Sequence, residues 1–452
     1  MRAIFTILNV VSGTIIALGA LLAFAISVRE RENRAAIFSL AGLILNCALW
    51  AIFIFLPHIT IIKIANAIVL AALLVFAIIS ALKFFPAAPQ PALSSIIPYD
   101  ERDHMFSRNA LKFDPEHKKI YYETLHPEFL EVDTAIQAKP ELGEPGGAFY
   151  DPYYSPAFVG GFSFLERLKP LTTGKPAARQ AALDPFTLKK AIRTLALYYG
   201  AADVGFAKLE KHHFYSHRGR TAENWGQPVE CTHKTGIVIV VPMKVRALKQ
   251  APKLQVVNES ARSYTEAAKV ACVVAEYLRL LGYEALAHTD GNYLAPLVPI
   301  AAEAGLGEVS RMGLLIHPHL GPCLRLSMVS TELELPPDTR QEFGVAHFCR
   351  ICKKCADNCP TRSISRDNKP PIDRGVPHWK ITPEKCYSFW KTIGTDCGIC
   401  ISVCPYTKED NLFHRLVRFY ISRNALNQKL ALAFDHLFYG RRRNLGPRSV
   451  RG

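Results

Sequence analysis

Cysteine spacing constrains this chain more than any other feature of its sequence. Eight of its twelve cysteines lie within residues 349–404, in two runs that each end in Cys-Pro. The first run reads Cys-x2-Cys-x2-Cys-x3-Cys-Pro, and the second reads Cys-x10-Cys-x2-Cys-x3-Cys-Pro. The first spacing is that of bacterial 4Fe-4S sites, in which the fourth cysteine ligates the neighbouring cluster.

The eight thiols match the needs of two cubane clusters, since each cluster takes four thiolates. The exchange of the fourth cysteine between the runs predicts two ligand sets. The first set is Cys349, Cys352, Cys355 and Cys404. The second set is Cys386, Cys397, Cys400 and Cys359. Zinc knuckles and disulfides are the alternatives, but neither explains two Cys-x3-Cys-Pro endings. We therefore expect a chain that carries single electrons.

The 452-residue chain is basic, with a formal charge of +15. A basic excess suits nucleic acid, an anionic membrane surface or an anionic cofactor. The other cysteines are scattered along the chain, mostly among apolar residues, which predicts buried free thiols rather than a disulfide framework. They are Cys47, Cys231, Cys272 and Cys323. Iron–sulfur ligands together with free thiols favour a reducing, anaerobic or cytoplasmic setting.

Three long apolar stretches fill the first 85 residues, at about Ile4–Ser27, Ala35–Leu56 and Ile59–Leu82. Each reaches the roughly 20 residues that cross a bilayer core. A cleaved signal peptide is the alternative for the first stretch, but its apolar run is long and two further stretches follow at once. No twin-arginine pair precedes it to direct the export of a folded metalloprotein. The sequence thus predicts a three-helix transmembrane anchor over 1–85.

Basic residues in the short loops predict the orientation of this anchor. Arg29, Arg31 and Arg34 lie between the first two stretches, whereas only His58 and Lys63 lie near the second connection. The positive-inside rule places the arginine loop in the cytoplasm. We therefore expect a multi-pass protein of the cell membrane whose soluble part faces the cytoplasm.

The remainder divides by composition into five segments. Residues 86–98 form a proline-rich, semi-rigid linker. Residues 99–185 are rich in Pro, Tyr and acidic residues and lack clear periodicity, which predicts an irregular N-terminal cap. Residues 186–335 alternate helix and strand patterns and form the core. Residues 336–410 hold the cysteine runs in a ferredoxin-like domain, and residues 411–452 form a basic tail.

Periodicity and end signals predict the elements of the core. The predicted helices are Thr187–Tyr199 and Ser263–Leu281, each followed by a glycine. The predicted strands are Val204–Leu209, Gly236–Val241 and Leu324–Val329. The strand over Gly236–Val241 is a continuous apolar run, which is typical of a strand that is buried on both faces.

The tail carries nine basic residues and one acidic residue, Asp435. Apolar residues from Leu412 to Tyr420 recur at helical spacing. Two interpretations stay open: a solvated basic end, or an amphipathic segment on the anionic cytoplasmic leaflet in contact with membrane lipid. Nucleic-acid binding is not expected, because no nucleic-acid motif accompanies the charge.

Several short sequence segments occur in this chain in the same order as in one protein family. They are Tyr199–Phe206, Tyr215–Arg220, Ser263–Glu266, Tyr277–Tyr283, Ala304–Glu308 and Gly313–Pro322 with Arg325. With the two cysteine runs that follow, this combination resembles the reductive dehalogenases, the corrinoid and iron–sulfur enzymes of organohalide respiration. The resemblance covers about half of the chain.

The resemblance implies an α/β (α+β) nitroreductase-like core that binds base-off cobalamin, followed by a ferredoxin-like domain with two 4Fe-4S clusters. It implies an oxidoreductase that removes halide from a small organohalide. Respiratory members usually carry a twin-arginine signal and rely on a separate membrane protein. The three apolar stretches of this chain instead resemble the transmembrane branch. The electron donor stays open between a quinone-linked donor and reduced ferredoxin or flavodoxin.

The resemblance also implies that Tyr264 donates the proton and that Arg325 stabilises its phenolate. Ser263 and Glu266 have the spacing of a capping box, so Tyr264 is expected to open a helix. A helix N-terminus would then lower the pKa of the phenol.

A third position in the site would hydrogen-bond the tyrosine or the substrate. Either Asp290 or Asn292 could fill it, and the spacing from Asn292 to Arg325 favours Asn292.

Two other functions compete with dehalogenation. An epoxyqueuosine-reductase-like enzyme shares cobalamin and the clusters but acts on tRNA; three apolar stretches and Tyr264 argue against it. A membrane-bound electron-transfer protein without its own substrate is the other. The roughly 250 residues between the linker and the clusters exceed what a simple relay needs.

Overall fold

The computed structural model describes residues 2–56, 59–83 and 97–442. Its contacts divide the chain into two compact units. One unit combines Met1–Ala87 with Asp410–Arg443, and the other contains Ala88–Glu409. The predicted linker over 86–98 lies outside the described residues except for its last two positions.

The N-terminal unit begins with three long apolar helices, α1 (Arg2–Arg29), α2 (Asn33–Phe55) and α3 (Thr60–Ala81). Each is long and apolar enough to cross a membrane. Most of their aliphatic side chains are exposed, as expected of surfaces that face lipid. The three predicted stretches are therefore confirmed as helices of membrane-crossing length.

Residues 99–185 contain short helices joined by turns rather than a fully irregular chain. They are α4 (Met105–Ala110), α5 (Pro115–Ile120), a π-helical turn (Tyr121–Leu125), α6 (Leu130–Gln137) and α7 (Ser155–Arg167). Single 3-10 turns fill Glu101–Asp103, Leu111–Phe113, Pro127–Phe129 and Lys169–Thr172. The short lengths explain why no periodicity was evident in the sequence.

A buried ion-pair network ties this cap to the cysteine domain. The Arg108 guanidinium donates to Asp133 Oδ1 at 2.7 Å and to Glu384 Oε1 at 2.6 Å. Asp133 is fully buried and also accepts from the Tyr122 hydroxyl. Because Glu384 lies in the cysteine domain, the cap is fixed to that domain as well as to the core.

The core is an antiparallel sheet between helices. Its elements are α8 (Pro185–Tyr198), β1 (Asp203–Lys208), β2 (Thr235–Pro242), α9 (Val245–Leu248), α10 (Leu254–Leu280), β3 (Ala285–His288), α11 (Leu297–Glu303), β4 (Glu308–Val309), β5 (Leu315–Ile316) and β6 (Leu324–Thr331). The strand order is β1-β2-β6-β3, and β4 and β5 form a separate hairpin. Each neighbouring pair in the larger sheet is antiparallel.

Strand β2 is buried on both faces. Ile237 and Ile239 pack into the apolar cluster formed with α8 and α10. Val238 and Val240 pack into the cluster formed with α11. The predicted strands agree with β1, β2 and β6 to within two residues at each end, because a doubly buried sheet selects continuous apolar runs.

Helix α10 begins nine residues before its predicted start. Ser263 was expected to cap a helix, but it lies within α10, and its hydroxyl donates to the Glu259 carbonyl at 2.7 Å. The predicted capping box is therefore wrong. The end of the helix was predicted correctly: Gly282 follows at φ +87°, where an added Cβ would lie 2.6 Å from the Gln180 Cα.

The cysteine domain consists of short helices and one small hairpin. Its elements are α12 (Val345–Cys352), α13 (Lys354–Asp357), β7 (Ile372–Asp373), β8 (Val376–Pro377), α14 (Pro383–Ile393) and α15 (Ile399–Ser402). Lys353 separates α12 from α13 in a left-handed conformation, with φ +53°. This turn changes the chain direction between the second and third cysteines.

The tail forms two helices, α16 (Leu412–Ile421) and α17 (Ala425–Tyr439). Asn424 Nδ2 donates to the carbonyls of Ile79 and Leu82, and Asn427 Nδ2 donates to the Ser80 carbonyl. These carbonyls lie at the end of α3, where the last turn of a helix lacks its full set of intrahelical donors; the Ile79 carbonyl also accepts from the Leu82 N–H at 3.2 Å. The described part of the tail therefore completes the anchor, and residues 443–452 lie outside the described residues.

Candidate functional site

One large cavity lies between the core, the cap and the cysteine domain. Its volume is about 710 Å³, and most of its lining is apolar. Tyr264 from α10 and Arg325 from β6 line it, together with Asp290 from the loop after β3. Cys386 of the second cysteine set lines the same cavity. The cavity therefore joins the expected proton donor to the expected electron carrier.

Tyr264 lies in the third turn of α10 rather than at its start. The helix N-terminus thus does not act on the phenol, and the expected lowering of its pKa by the helix is wrong. Burial raises the pKa of Tyr264, and the positive charge of Arg325 opposes this increase. Asp290 adds to the increase. The phenol is therefore protonated at neutral pH.

Arg325 is held against the ring of Tyr264. Its guanidinium carbon lies 4.7 Å from the ring centroid. Its Nη2 donates to Ser260 Oγ at 2.7 Å and lies 3.8 Å from Asp396 Oδ2. Its Nε is buried and has no hydrogen-bond partner within the part of the chain that the structure describes. The site therefore has a spare donor beside the phenol.

The structure brings Asp290, rather than Asn292, to the cavity wall. The Asn292 amide instead donates to Thr172 Oγ1 at 2.8 Å, and its backbone pairs with Thr289. Gly291, at φ +73°, makes the turn between the two candidates. The preference for Asn292 in the third position is therefore not supported by this geometry. Burial raises the pKa of Asp290.

The first cysteine set surrounds a small cavity of its own. Cys349, Cys352, Cys355 and Cys404 all line it, with Arg311. Burial raises the pKa of Cys349 and Cys355 to about 12. These thiols keep their protons unless a metal replaces them, and a coordinating thiol is deprotonated outright.

The second set is also gathered in one place. Its members lie close together: ionisation of Cys386 or Cys359 would raise the pKa of Cys397, and ionisation of Cys397, Cys386 or Cys359 would raise the pKa of Cys400. The Ser363 N–H donates to Cys359 Sγ at 3.3 Å. Cys355 of the first set also acts on Cys400, so the two sets adjoin.

The donor sets fit cubane clusters better than single ions. Within the described residues, no three His, Cys, Asp or Glu side chains are grouped closely enough for one metal ion. A four-iron cluster instead takes one thiolate at each iron. Four thiols around each of two adjoining places meet that requirement.

The large cavity also suits a bulky cofactor. Its volume lies in the upper part of the roughly 300–1,000 Å³ range of ligand pockets. Apolar side chains form most of its wall, among them Leu297, Leu324, Trp379 and Ile381. The unpartnered Arg325 Nε offers one polar contact. The residues present therefore fit a large, mostly neutral group such as a corrinoid.

Two groups of residues near the site were not predicted from the sequence. Tyr99, His104 and Phe106 of the cap line the cavity, but the cap has no recognisable motif. Arg220 is half-buried and donates to the hydroxyl of Tyr293, a cavity-lining residue, at 3.4 Å. Arg220 belongs to the segment Tyr215–Arg220, which is part of the family resemblance. That resemblance is the sequence signal that could have identified Arg220.

Comparison with known proteins relates this site to a family. A family model for a 4Fe-4S dicluster domain matches residues 348–408, which include both cysteine sets. The tetrachloroethene reductive dehalogenase of Desulfitobacterium hafniense is 36% identical over 225 residues, which are 48% of this chain and 40% of that protein. The tetrachloroethene reductive dehalogenase of Sulfurospirillum multivorans is 29% identical over 296 residues, 58% of this chain and 59% of that protein. The chain thus spans about half the length of the curated relatives that it matches.

Solved structures share the fold. A catabolic reductive dehalogenase aligns with a TM-score of 0.62 at 24% identity, over 80% of this chain and 48% of that chain. A reductive dehalogenase whose structure suggests a mechanism for B12-dependent dehalogenation aligns with a TM-score of 0.65 at 24% identity, over 81% of this chain and 50% of that chain. The predicted fold class is confirmed. The chain is therefore similar to reductive dehalogenases in sequence over about half of its length and similar to them in fold, and residues 348–408 match a 4Fe-4S dicluster domain.

Proposed function

We propose that the protein is a membrane-anchored reductive dehalogenase that replaces the halogen of a small organohalide with hydrogen. The observation that carries the proposal is the shared cavity: Tyr264, Arg325 and Cys386 line one space of about 710 Å³. A proton donor, a cation and an electron carrier are thereby within reach of one substrate. The balanced reaction consumes two electrons and one proton and releases one halide.

The two cysteine sets would hold 4Fe-4S clusters, and the apolar wall of the cavity would hold base-off cobalamin. When bound, these groups supply the electrons and the cobalt at which the carbon–halogen bond is reduced. Cys386 borders the cavity, so the second set is the one nearer the substrate. The adjoining first set would receive electrons from the donor.

Tyr264 would deliver the proton to the carbon that loses halide. Because burial raises the pKa of its phenol, the side chain holds its proton until charge develops on the substrate. The mostly apolar wall keeps water from competing as a proton source. Arg325 would stabilise the phenolate that remains, since its guanidinium carbon lies 4.7 Å from the ring centroid.

Asp290 is the more suitable partner for the third position. It lines the cavity close enough to Tyr264 that its ionisation would raise the pKa of the phenol. A carboxyl group that burial keeps hard to ionise could return a proton to the phenolate after turnover. Asn292 would then have a supporting role, holding Thr172 in place.

The three N-terminal helices would anchor the enzyme in the cell membrane, with the catalytic part in the cytoplasm. Arg29, Arg31 and Arg34 at the connection of α1 and α2 support this orientation. The tail supports it too, because Arg423 donates to the Ala81 carbonyl at the same end of α3. Exposed Leu412, at 68%, and Phe419, at 61%, would contact lipid at that surface.

Replacement of Tyr264 by Phe tests the proton-donor role. The variant keeps the ring and loses only the hydroxyl, so corrinoid and iron content should match wild type while halide release falls by about 10²- to 10⁴-fold. Tyr277→Phe is the matched control, since Tyr277 lies on the same helix but outside the cavity lining. Turnover of Tyr264→Phe at the wild-type rate, with full cofactor content, would exclude Tyr264 as the donor.

A further inference from the structure

Arg311 is a buried cation without a carboxylate partner. It lies in the loop between β4 and β5 and has 0% exposure. Its donors bond backbone carbonyls: Nε and Nη2 to Cys349 at 3.1 Å, and Nη1 to Ser365 and Asp367 at 2.8 Å. No ion pair with a carboxylate is formed by Arg311 within the described residues. Its hydrogen bonds are satisfied, and the groups that act most strongly on its charge are Cys349, Cys355 and Cys352, ahead of the Asp367 carboxylate, which forms no ion pair with it.

An uncompensated buried charge is strongly unfavourable in a low-dielectric interior. The anions nearest to Arg311 would be thiolates of the first cysteine set. Arg311 lines the same small cavity as Cys349, Cys352, Cys355 and Cys404. Its guanidinium also stacks on Trp379, with the guanidinium carbon 4.4 Å from the ring, which fixes it beside that cavity.

Among the described residues, no cation acts in the same way on Cys386, Cys397 or Cys400, because Arg325, which approaches this set, pairs with Asp396 at 3.8 Å. The charged groups that act on Cys386, Cys397 and Cys400 are cysteines and, for Cys397, Asp396. Each set has one buried carboxyl group nearby, Glu308 beside Cys349 and Asp396 beside Cys397, so within the described residues the two sets differ in the cation Arg311. A fixed positive charge stabilises the more negative, reduced form of a nearby redox group.

We propose that Arg311 is the countercharge of the cluster held by the first cysteine set and raises its reduction potential relative to the second cluster. The inference rests on the proposed binding of two clusters. It makes the first cluster the easier of the two to reduce and so the natural entry point for electrons from the donor. Arg311 is a positioning and tuning residue, since it bonds the Cys349 backbone and does not touch the substrate cavity.

The test is a redox titration of the anaerobically purified full chain, monitored by electron paramagnetic resonance. The proteins compared are wild type, Arg311→Met, Arg311→Lys and Arg350→Met. In Arg311→Met the potential of one cluster should fall by at least 59 mV, which is a tenfold change in a one-electron equilibrium, while the other stays unchanged. Arg311→Lys keeps the charge but loses the bidentate carbonyl bonds, and it should stay near wild type. Arg350→Met removes an exposed charge beside Cys349 and should change little, because water screens it.

Each outcome decides the matter. Unchanged potentials in Arg311→Met overturn the proposal. If Arg311→Met does not load iron, Arg311→Lys distinguishes the role of the charge from that of the hydrogen bonds. Iron loading by Arg311→Lys supports a countercharge. Failure of Arg311→Lys to load iron as well assigns the loss to the carbonyl hydrogen bonds and overturns the countercharge. Wild-type protein without iron–sulfur signals would instead overturn the proposed clusters, before any question about Arg311 arises.

Discussion

Replacement of Arg325 by Met should slow dehalogenation without emptying the site. The Arg325 guanidinium carbon lies 4.7 Å from the centre of the Tyr264 ring. At an effective dielectric constant near 20, a unit charge at this distance stabilises a phenolate by about 3.5 kcal/mol, or roughly 2.6 pKa units. Asp396, 3.8 Å from the guanidinium, reduces this effect. Since the proton is only partly transferred in the transition state, we expect a loss of about ten- to a hundredfold in turnover.

The assay is halide release under anaerobic conditions with reduced methyl viologen as the electron source, normalised to the corrinoid and iron content of each preparation. Arg325→Lys is the matched control, because it keeps a positive charge near the ring and should retain more turnover than Arg325→Met. Equal rates for wild type and Arg325→Met at equal cofactor content would refute the electrostatic role. Loss of corrinoid in both variants would show that Arg325 holds the cofactor instead.

Three further outcomes follow from the structure. Cys359→Ala should damage the cluster of the second set more than that of the first, as seen by electron paramagnetic resonance; equal damage would contradict the exchange of cysteines between the runs. A reporter that is active only in the periplasm should stay silent when fused after Gly452, and a strong signal would reverse the topology. Arg108→Met should lower the free energy of unfolding of the unit that contains Ala88–Glu409 by about 3–5 kcal/mol, because it leaves Asp133 buried without its cationic partner; an unchanged melting temperature would contradict this.

The sheet and the cysteine sets could be predicted because their signals are local. Gly236–Val241 is apolar at every position after its glycine, and such a run has few alternatives to a buried strand. The start of α10 was missed because Ser263 and Glu266 have the spacing of a cap. Spacing does not reveal that the Ser263 hydroxyl bonds backwards to the Glu259 carbonyl, as serine within a helix does.

The contacts of the site are less predictable, because they join distant segments. The side chains of Asp290 and Asn292 contact different surroundings because the chain turns at Gly291, and no pattern in the sequence predicts that turn. The proximity of Tyr264 to Arg325 depends on how α10 packs on β6, and only the family resemblance indicated it. Arg311 lies between two of the matched segments, Ala304–Glu308 and Gly313–Pro322, and nothing in the sequence indicated its burial beside the cysteines.

The proposed function is tested most directly by the iron and corrinoid content and the dehalogenation turnover of the full chain, purified anaerobically in detergent. We expect about eight irons and one corrinoid per chain, as two cubane clusters and one cobalamin require. With reduced methyl viologen, the protein should release halide from at least one member of a panel of organohalides. The panel includes tetrachloroethene, which a similar dehalogenase is named for, and 3-bromo-4-hydroxybenzoic acid, which is bound in a solved structure of similar fold. Protein that holds the clusters but binds no corrinoid and releases no halide would contradict the proposed function and favour an electron-transfer role.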